Sequence, residues 1–135
     1  MEGLFKIMNI AASGMTAERF RTDIISQNLA NAETTRTENG GPYQRKIVSF
    51  KEILDNETNY GGVKVSKLSK DTSPFKIVYD PNHPDADKNG YVKYPNVNVL
   101  REIVDMMNAQ RAYELNASVV NTSKSMYNAA LNIGR

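Results

Sequence analysis

Few side chains in this 135-residue sequence are of types that do chemistry, and their surroundings decide what is open to them. There is no cysteine and one histidine, His83. The missing cysteines remove disulfides, thiolate metal sites and cysteine nucleophiles together. His83 stands between Asn82 and Pro84 in a turn-rich stretch, with no Ser or Cys partner in a recognisable setting, so it supports no acid/base assignment. Asp85-Ala86-Asp87-Lys88-Asn89-Gly90 has the opening spacing of a calcium loop, with oxygen donors at positions one, three and five and Gly at six. Its twelfth position is Asn96 rather than a bidentate Glu, and no helix precedes it, so a polar turn is the better reading. No Gly-rich phosphate loop, nucleophile elbow or metal-ligand cluster occurs elsewhere. The expectation is a protein that is not an enzyme, with no catalytic residue, no metal and no cofactor.

One further cluster, Gln110-Arg111-Ala112-Tyr113-Glu114, lies within a helical pattern. Arg111 and Glu114 at i, i+3 read as a solvated ion pair worth a few tenths of a kcal/mol. The alternative is that Gln110 and Arg111 reach a neighbouring subunit.

The elements that must carry these residues are two long helices. Val97 to Ile133 runs 37 residues without Gly or Pro, so nothing in it forces the backbone out of a helix, and Gly134 follows where a C-terminal cap would sit. Val99, Ile103, Met106, Tyr113, Ala117, Val120, Tyr127 and Leu131 recur at alternating steps of three and four, interrupted by Gln110 and Lys124. That is a heptad seam. Such a helix is roughly 55 Å long at the α-helical rise, whereas a compact globule of this chain length has a diameter of roughly 37 Å. The seam therefore needs a long partner, either elsewhere in the chain or in a neighbouring molecule. A second, weaker pattern runs from Leu4 to Ala32. Met1, Leu4, Met8, Ala11, Met15, Ile25, Leu29 and Ala32 share one register, with Glu18 and Thr22 as gaps. Gly14 weakens this helix by about 1 kcal/mol relative to Ala, but Ala11, Ala12, Ser13 and Gly14 leave room for another helix to approach closely.

Between them lies a small β-rich insert. The sequence predicts a strand from Tyr43 to Phe50, an irregular polar stretch from Glu52 to Tyr60, and a second β segment opened by Gly61-Gly62. A third follows at Phe75 to Tyr79, then turns from Asn82 to Gly90 and a last short strand at Tyr91 to Tyr94. The expected fold class is α+β, with the terminal helices pairing as a coiled coil. The expected division is residues 1–32 as the N-terminal helix, 33–96 as the insert and 97–135 as the C-terminal helix. An insert of this size is marginal alone and should pack on the helices or on neighbours.

Composition and charge bound the class of protein. Hydrophobic residues make up 40% and charged residues 24%, which places the chain among folded rather than disordered proteins. The 17 basic and 15 acidic residues are spread evenly, so no basic stripe points to nucleic acid as partner. No apolar run approaches the roughly 20 residues of a membrane span, so no direct membrane insertion is expected. The N-terminus also lacks a basic region followed by an apolar core, so no ordinary secretory signal is expected.

The two ends together resemble the bacterial flagellar axial family, the rod and hook proteins. Ala12-Ser13-Gly14-Met15, Ser26-Gln27-Asn28-Leu29-Ala30-Asn31-Ala32 and Ala109-Gln110-Arg111-Ala112-Tyr113-Glu114-Leu115-Asn116 carry the resemblance. The middle is similar to the proximal rod members of that family, in Thr34-Thr35-Arg36-Thr37, in Gly40 to Lys46, and in Tyr79 to Asp87 with Gly90-Tyr91-Val92 and Tyr94 to Val97. The resemblance implies a structural subunit of the rod that crosses the cell envelope and transmits torque. It implies helical packing with copies of itself and with other rod proteins, and export by the flagellar type III apparatus without a cleaved signal peptide. The two seams, with Gln110 and Arg111, are then the expected assembly surface. A soluble or secreted coiled-coil adaptor resembling a translocator shares the heptads, but has no reason to carry the middle motifs.

Overall fold

The structure is a computed structural model that describes residues 2–55 and 60–134. The chain order is helix α1 (Glu2–Ala30), strands β1 (Lys46–Asp55), β2 (Tyr60–Lys70), β3 (Lys76–Tyr79) and β4 (Tyr91–Tyr94), and helix α2 (Val99–Ile133). This is the α+β architecture read from the sequence, two terminal helices around a small strand insert. Asn98 caps α2, its side chain accepting from the Arg101 amide at 3.2 Å, which satisfies a donor the first helical turn leaves unpaired. Gly134 ends α2 through its N–H on the Ala130 carbonyl, with φ −75 rather than the left-handed value a glycine cap often adopts.

The helices pack antiparallel. Phe5 meets Tyr127 edge to face at 5.2 Å, Gly14 lies under Asn116, and Asn28 reaches Glu102. A Cβ at Gly14 would stand 2.7 Å from the Asn116 amide nitrogen, so the run of small residues does admit a close approach, here by α2 of the same chain. A second face of α1 covers the β1–β2 ribbon. Ser13 Oγ accepts from the Val63 amide at 3.0 Å, Arg21 stacks on the Phe50 ring at 4.1 Å, and Ala17 and Ile24, spaced by helical turns from Ser13, are buried. One helix thus organises both the hairpin of helices and the ribbon.

The strands differ from the sequence reading in their limits. Tyr43 to Arg45 are not in β1, because their backbone is used elsewhere: the Tyr43 amide donates to the Thr34 carbonyl, the Arg45 amide to the Asn96 side chain, and the Arg45 carbonyl accepts from the Asp71 amide. At the other end β1 continues through Glu52 to Asp55, where an irregular stretch was expected; residues 56–59 of that stretch lie outside the described residues, as does Met1. The β1–β2 register runs from Lys46 opposite Lys70 to Asp55 opposite Tyr60, with a bulge at Ser49/Phe50. Glu52 is carried along by this pairing although it is a poor strand former. β3 and β4 form a separate antiparallel pair, Lys76 opposite Tyr94 through Tyr79 opposite Tyr91.

Candidate assembly interface

The best-built polar cluster in the molecule is a joint at the end of the helical hairpin where the insert departs. Asn28 on α1 donates to the Lys46 carbonyl at 3.0 Å and to Glu102 Oε2 at 3.3 Å. Its oxygen accepts from the Tyr43 hydroxyl at 2.7 Å and from the Lys46 amide at 3.0 Å. Both donors and both acceptor sites of this buried amide are filled. Glu102, in the first turn of α2 and fully buried, also takes a hydrogen bond from Arg45 Nε. Arg45 pairs further with Asp71 at 3.1 Å, and Asp105 stands 3.8 Å away. Four segments distant in sequence are therefore fixed to one guanidinium and one carboxamide.

The electrostatics follow from this geometry. Burial alone would lower the Arg45 pKa, but the hydrogen bonds and charges of Glu102 and Asp71 raise it above the usual guanidinium value. Ser73, through its hydroxyl and its amide, and then Arg45 hold the Asp71 carboxyl below its ordinary value against a smaller opposing effect of burial. Burial, then the Glu102 charge, push the Tyr43 hydroxyl up. Arg45, Glu102, Asp71 and Tyr43 are each hydrogen-bonded to another segment, and the two cavities beside them, of about 250 and 310 Å³, are bordered by Arg45, Glu102 and Asp71 of these engaged groups and by Asp105.

The residues singled out for chemistry are likewise engaged in local structure. Asp85 accepts from Thr35 Oγ1 at 2.6 Å and pairs with Arg36 at 2.5 Å, and these contacts, Thr35 first, lower its pKa. Asp87 Oδ1 accepts from the amides of Asn89 and Tyr91. His83 Nδ1 accepts from the Asp85 amide at 3.0 Å, and its ring stands edge-on to Tyr94. Among the described residues no three His, Asp or Glu side chains group as metal ligands. No helix among them is long and apolar enough to cross a membrane. Arg111 and Glu114 are exposed and do not form the expected ion pair.

The seam residues divide between the inside of the hairpin and its surface. On α1, Ala11 and Ile25 are buried and Leu4, Met8, Met15 and Leu29 half-buried, while Ala32 is half-buried in the turn beyond the helix. On α2, Met106, Ala117, Val120 and Tyr127 are half-buried, whereas Val99, Ile103, Gln110, Arg111, Tyr113 and Leu131 are exposed. The buried positions of α2 are Glu102, Ala109 and Ser123, one residue before Ile103, Gln110 and Lys124, and half-buried Asn116, one before Ala117, meets Gly14. Half of the heptad register is displaced by one residue, because small and hydrogen-bonded polar side chains, not the bulkiest apolar ones, line the close approach. Counting apolar residues misses these four. The signal available was the small-residue run at Ala11 to Gly14, which calls for small residues opposite.

The displacement leaves apolar side chains outside. Leu100, Val104 and Met107 lie on the side of α2 turned away from Glu102 and Ala109, and all three are exposed, Leu100 by 72%; Leu115, Val119 and Met126, further along and closer in angle to Asn116 and Ser123, are exposed as well, Leu115 by 68%. With about 100° per residue, Leu100, Val104 and Met107 share one bare face, which Arg111 ends. A bare apolar face on the opening turns of a long helix has the character of a surface that meets another protein.

The comparisons with known proteins identify the family. Residues 88–133 match the family described as flagellar basal body rod FlgEFG protein C-terminal, and residues 8–36 match flagella basal body rod protein. The chain is similar to the flagellar basal-body rod protein FlgC of Borreliella burgdorferi, 47% identical with 97% of each chain covered. It is also similar to the FlgC proteins of Bacillus subtilis, at 46% with 97% of this chain and 98% of the relative covered, and of Salmonella typhimurium, at 42% with 98% of each covered. The two family matches, which take in most of both helices, and these near full-length likenesses together show that the chain belongs to the FlgC family of flagellar basal-body rod proteins.

Proposed function

We propose that this rod protein assembles helically with copies of itself and with other rod proteins, in the proximal rod, and that the resulting shaft carries torque across the periplasm. The observation that carries the reading is the division of α2, packed on α1 by one side and bare on the other. Two such surfaces on each subunit, joined in a non-closing way, generate a helix rather than a ring. The seam residues from Leu4 to Leu131, with Gln110 and Arg111, serve this assembly in two ways. The half-buried ones hold the hairpin, and the exposed ones meet neighbours. Residues 1–32 and 97–135 then act as one helical unit and residues 33–96 as a unit attached at the Asn28–Arg45–Glu102 joint.

In this reading the protein has no catalytic role, which the use of its carboxylates and histidine in turns and joints supports. It reaches the envelope through the flagellar type III export apparatus, without a cleaved signal peptide. The test is a strain lacking the gene. Loss of filament and motility, restored by the wild-type chain recovered in the basal-body fraction, is the expected result. Normal swimming of the deletion strain contradicts the proposal.

A further inference from the structure

The β3–β4 ribbon has a bare face. No other strand or helix among the described elements comes against its backbone. One side carries Val92, buried, and Val78 and Tyr94, half-buried; the other carries Ile77, Tyr79, Tyr91 and Lys93. Ile77 is 61% exposed and Tyr79 64%. Tyr79 is nonetheless held in place. Its ring meets Tyr91 edge to face at 5.2 Å, and it lies over Gly90, where a Cβ would come within 2.9 Å of ring carbon Cε2. Gly90 has φ +86, so a glycine serves both the turn and the ring. An exposed aromatic pair fixed in advance loses little freedom on binding, which is the character of an interface anchor. Lys93 stands on the same face and forms no ion pair among the described residues.

An open groove of opposite charge lies elsewhere on the same molecule. Between α1 and α2, Arg19, Thr22, Asp23, Gln110, Tyr113 and Glu114 border an open groove of about 570 Å³. Asp23 and Glu114 are exposed and form no ion pair among the described residues, so the groove carries two free acids against one base. We propose that the aromatic face of the β3–β4 ribbon docks into the α1/α2 groove of a second copy, with Tyr79 as anchor and Lys93 beside Asp23 and Glu114. Ribbon and groove are different surfaces, so the contact is heterologous and propagates instead of closing. The inference rests on the rod reading above and names the partner and the surfaces through which like subunits meet.

The absence of cysteine makes a direct test possible. Lys93→Cys and Glu114→Cys are placed in one chain, expressed in place of the wild type, and isolated basal bodies are treated with a short bismaleimide. The expected result is a ladder of cross-linked copies at least tenfold above either single variant. Incorporation of the double variant without a ladder overturns the proposal. Charge exchange decides the case in which the cysteines block incorporation: Lys93→Glu should impair swimming and Lys93→Glu/Glu114→Lys should restore it, and a double variant no better than the single overturns the contact. Absence of the wild-type chain from basal bodies overturns the rod reading and this inference together.

Discussion

Arg45 and Glu102 show at the scale of single residues how the fold is held. Glu102 is a buried carboxylate whose stability depends on the guanidinium and the Asn28 amide that face it. Removing one partner of such a pair leaves an uncompensated buried charge, at a cost of about 3 to 5 kcal/mol, whereas replacing both by apolar groups of similar size costs much less. Arg45→Met should therefore lower stability by that amount in chemical denaturation, and Arg45→Met/Glu102→Met should recover a large part of it. Glu18 is the opposite case. It lies on the packed side of α1, one of its oxygens is buried without a hydrogen-bond partner, and Arg21 at 3.6 Å only partly compensates. Burial raises its pKa, opposed by the Arg21 charge. A raised folded-state value means that the proton binds the folded chain more tightly. The contribution of Glu18 is thus most favourable below the unfolded value of 4.5 and is lost as pH rises through the higher folded value. Glu18→Gln should remove that dependence and stabilise the chain at pH 7 by about 1 kcal/mol, seen as an unfolding midpoint that no longer falls between pH 4.5 and neutrality.

The elements were legible in the sequence to the degree that their signal was local. Both helices and the last short strand were readable because long periodic runs and turn residues declare themselves. The start of β1 was not, since the backbone of Tyr43 and Arg45 is captured by Thr34, Asn96 and Asp71, and those partners are brought in only by the tertiary fold. The seam was half legible for a related reason: Met106, Val120 and Tyr127 follow the apolar pattern, but Glu102 packs through its bonds to Asn28 and Arg45, Ser123 through small size and a bond to the Val119 carbonyl, and Asn116 by lying against Gly14, all of which a hydropathy pattern scores as outward. The joint at Asn28 was quoted only as part of a motif, and its four hydrogen bonds involve β1 and α2, far away in sequence. The close approach at Gly14 gives the element-scale prediction. A Cβ there meets only the end of the Asn116 side chain, which can swing aside, while Ala gains about 1 kcal/mol of helix propensity over Gly. Gly14→Ala should be neutral or stabilising in thermal unfolding. Gly14→Leu must part the helices and should cost about 1 to 3 kcal/mol.

At the scale of the whole molecule, the chain is a lever arm with a joint. The helical hairpin and the insert share few contacts except along α1, and the polar joint sets their angle. A shaft built from such subunits gains stiffness from many repeated contacts along α2, each made substantial by burial of apolar area at about 25 cal/mol per Å² and reduced by association entropy. In the proposed assembly the bare face of α2 is the feature on which the function depends, and it can be altered without touching the fold, because Leu100 and Met107 are exposed and such surface substitutions usually change stability by about 0.5 kcal/mol or less each. The most direct measurement is the amount of Leu100→Asp/Met107→Asp chain in purified basal bodies, beside its unfolding midpoint in solution. An unchanged midpoint with incorporation reduced at least tenfold, and swimming lost with it, is the predicted result. Wild-type incorporation of this variant would contradict the assignment of the bare α2 face as the assembly surface.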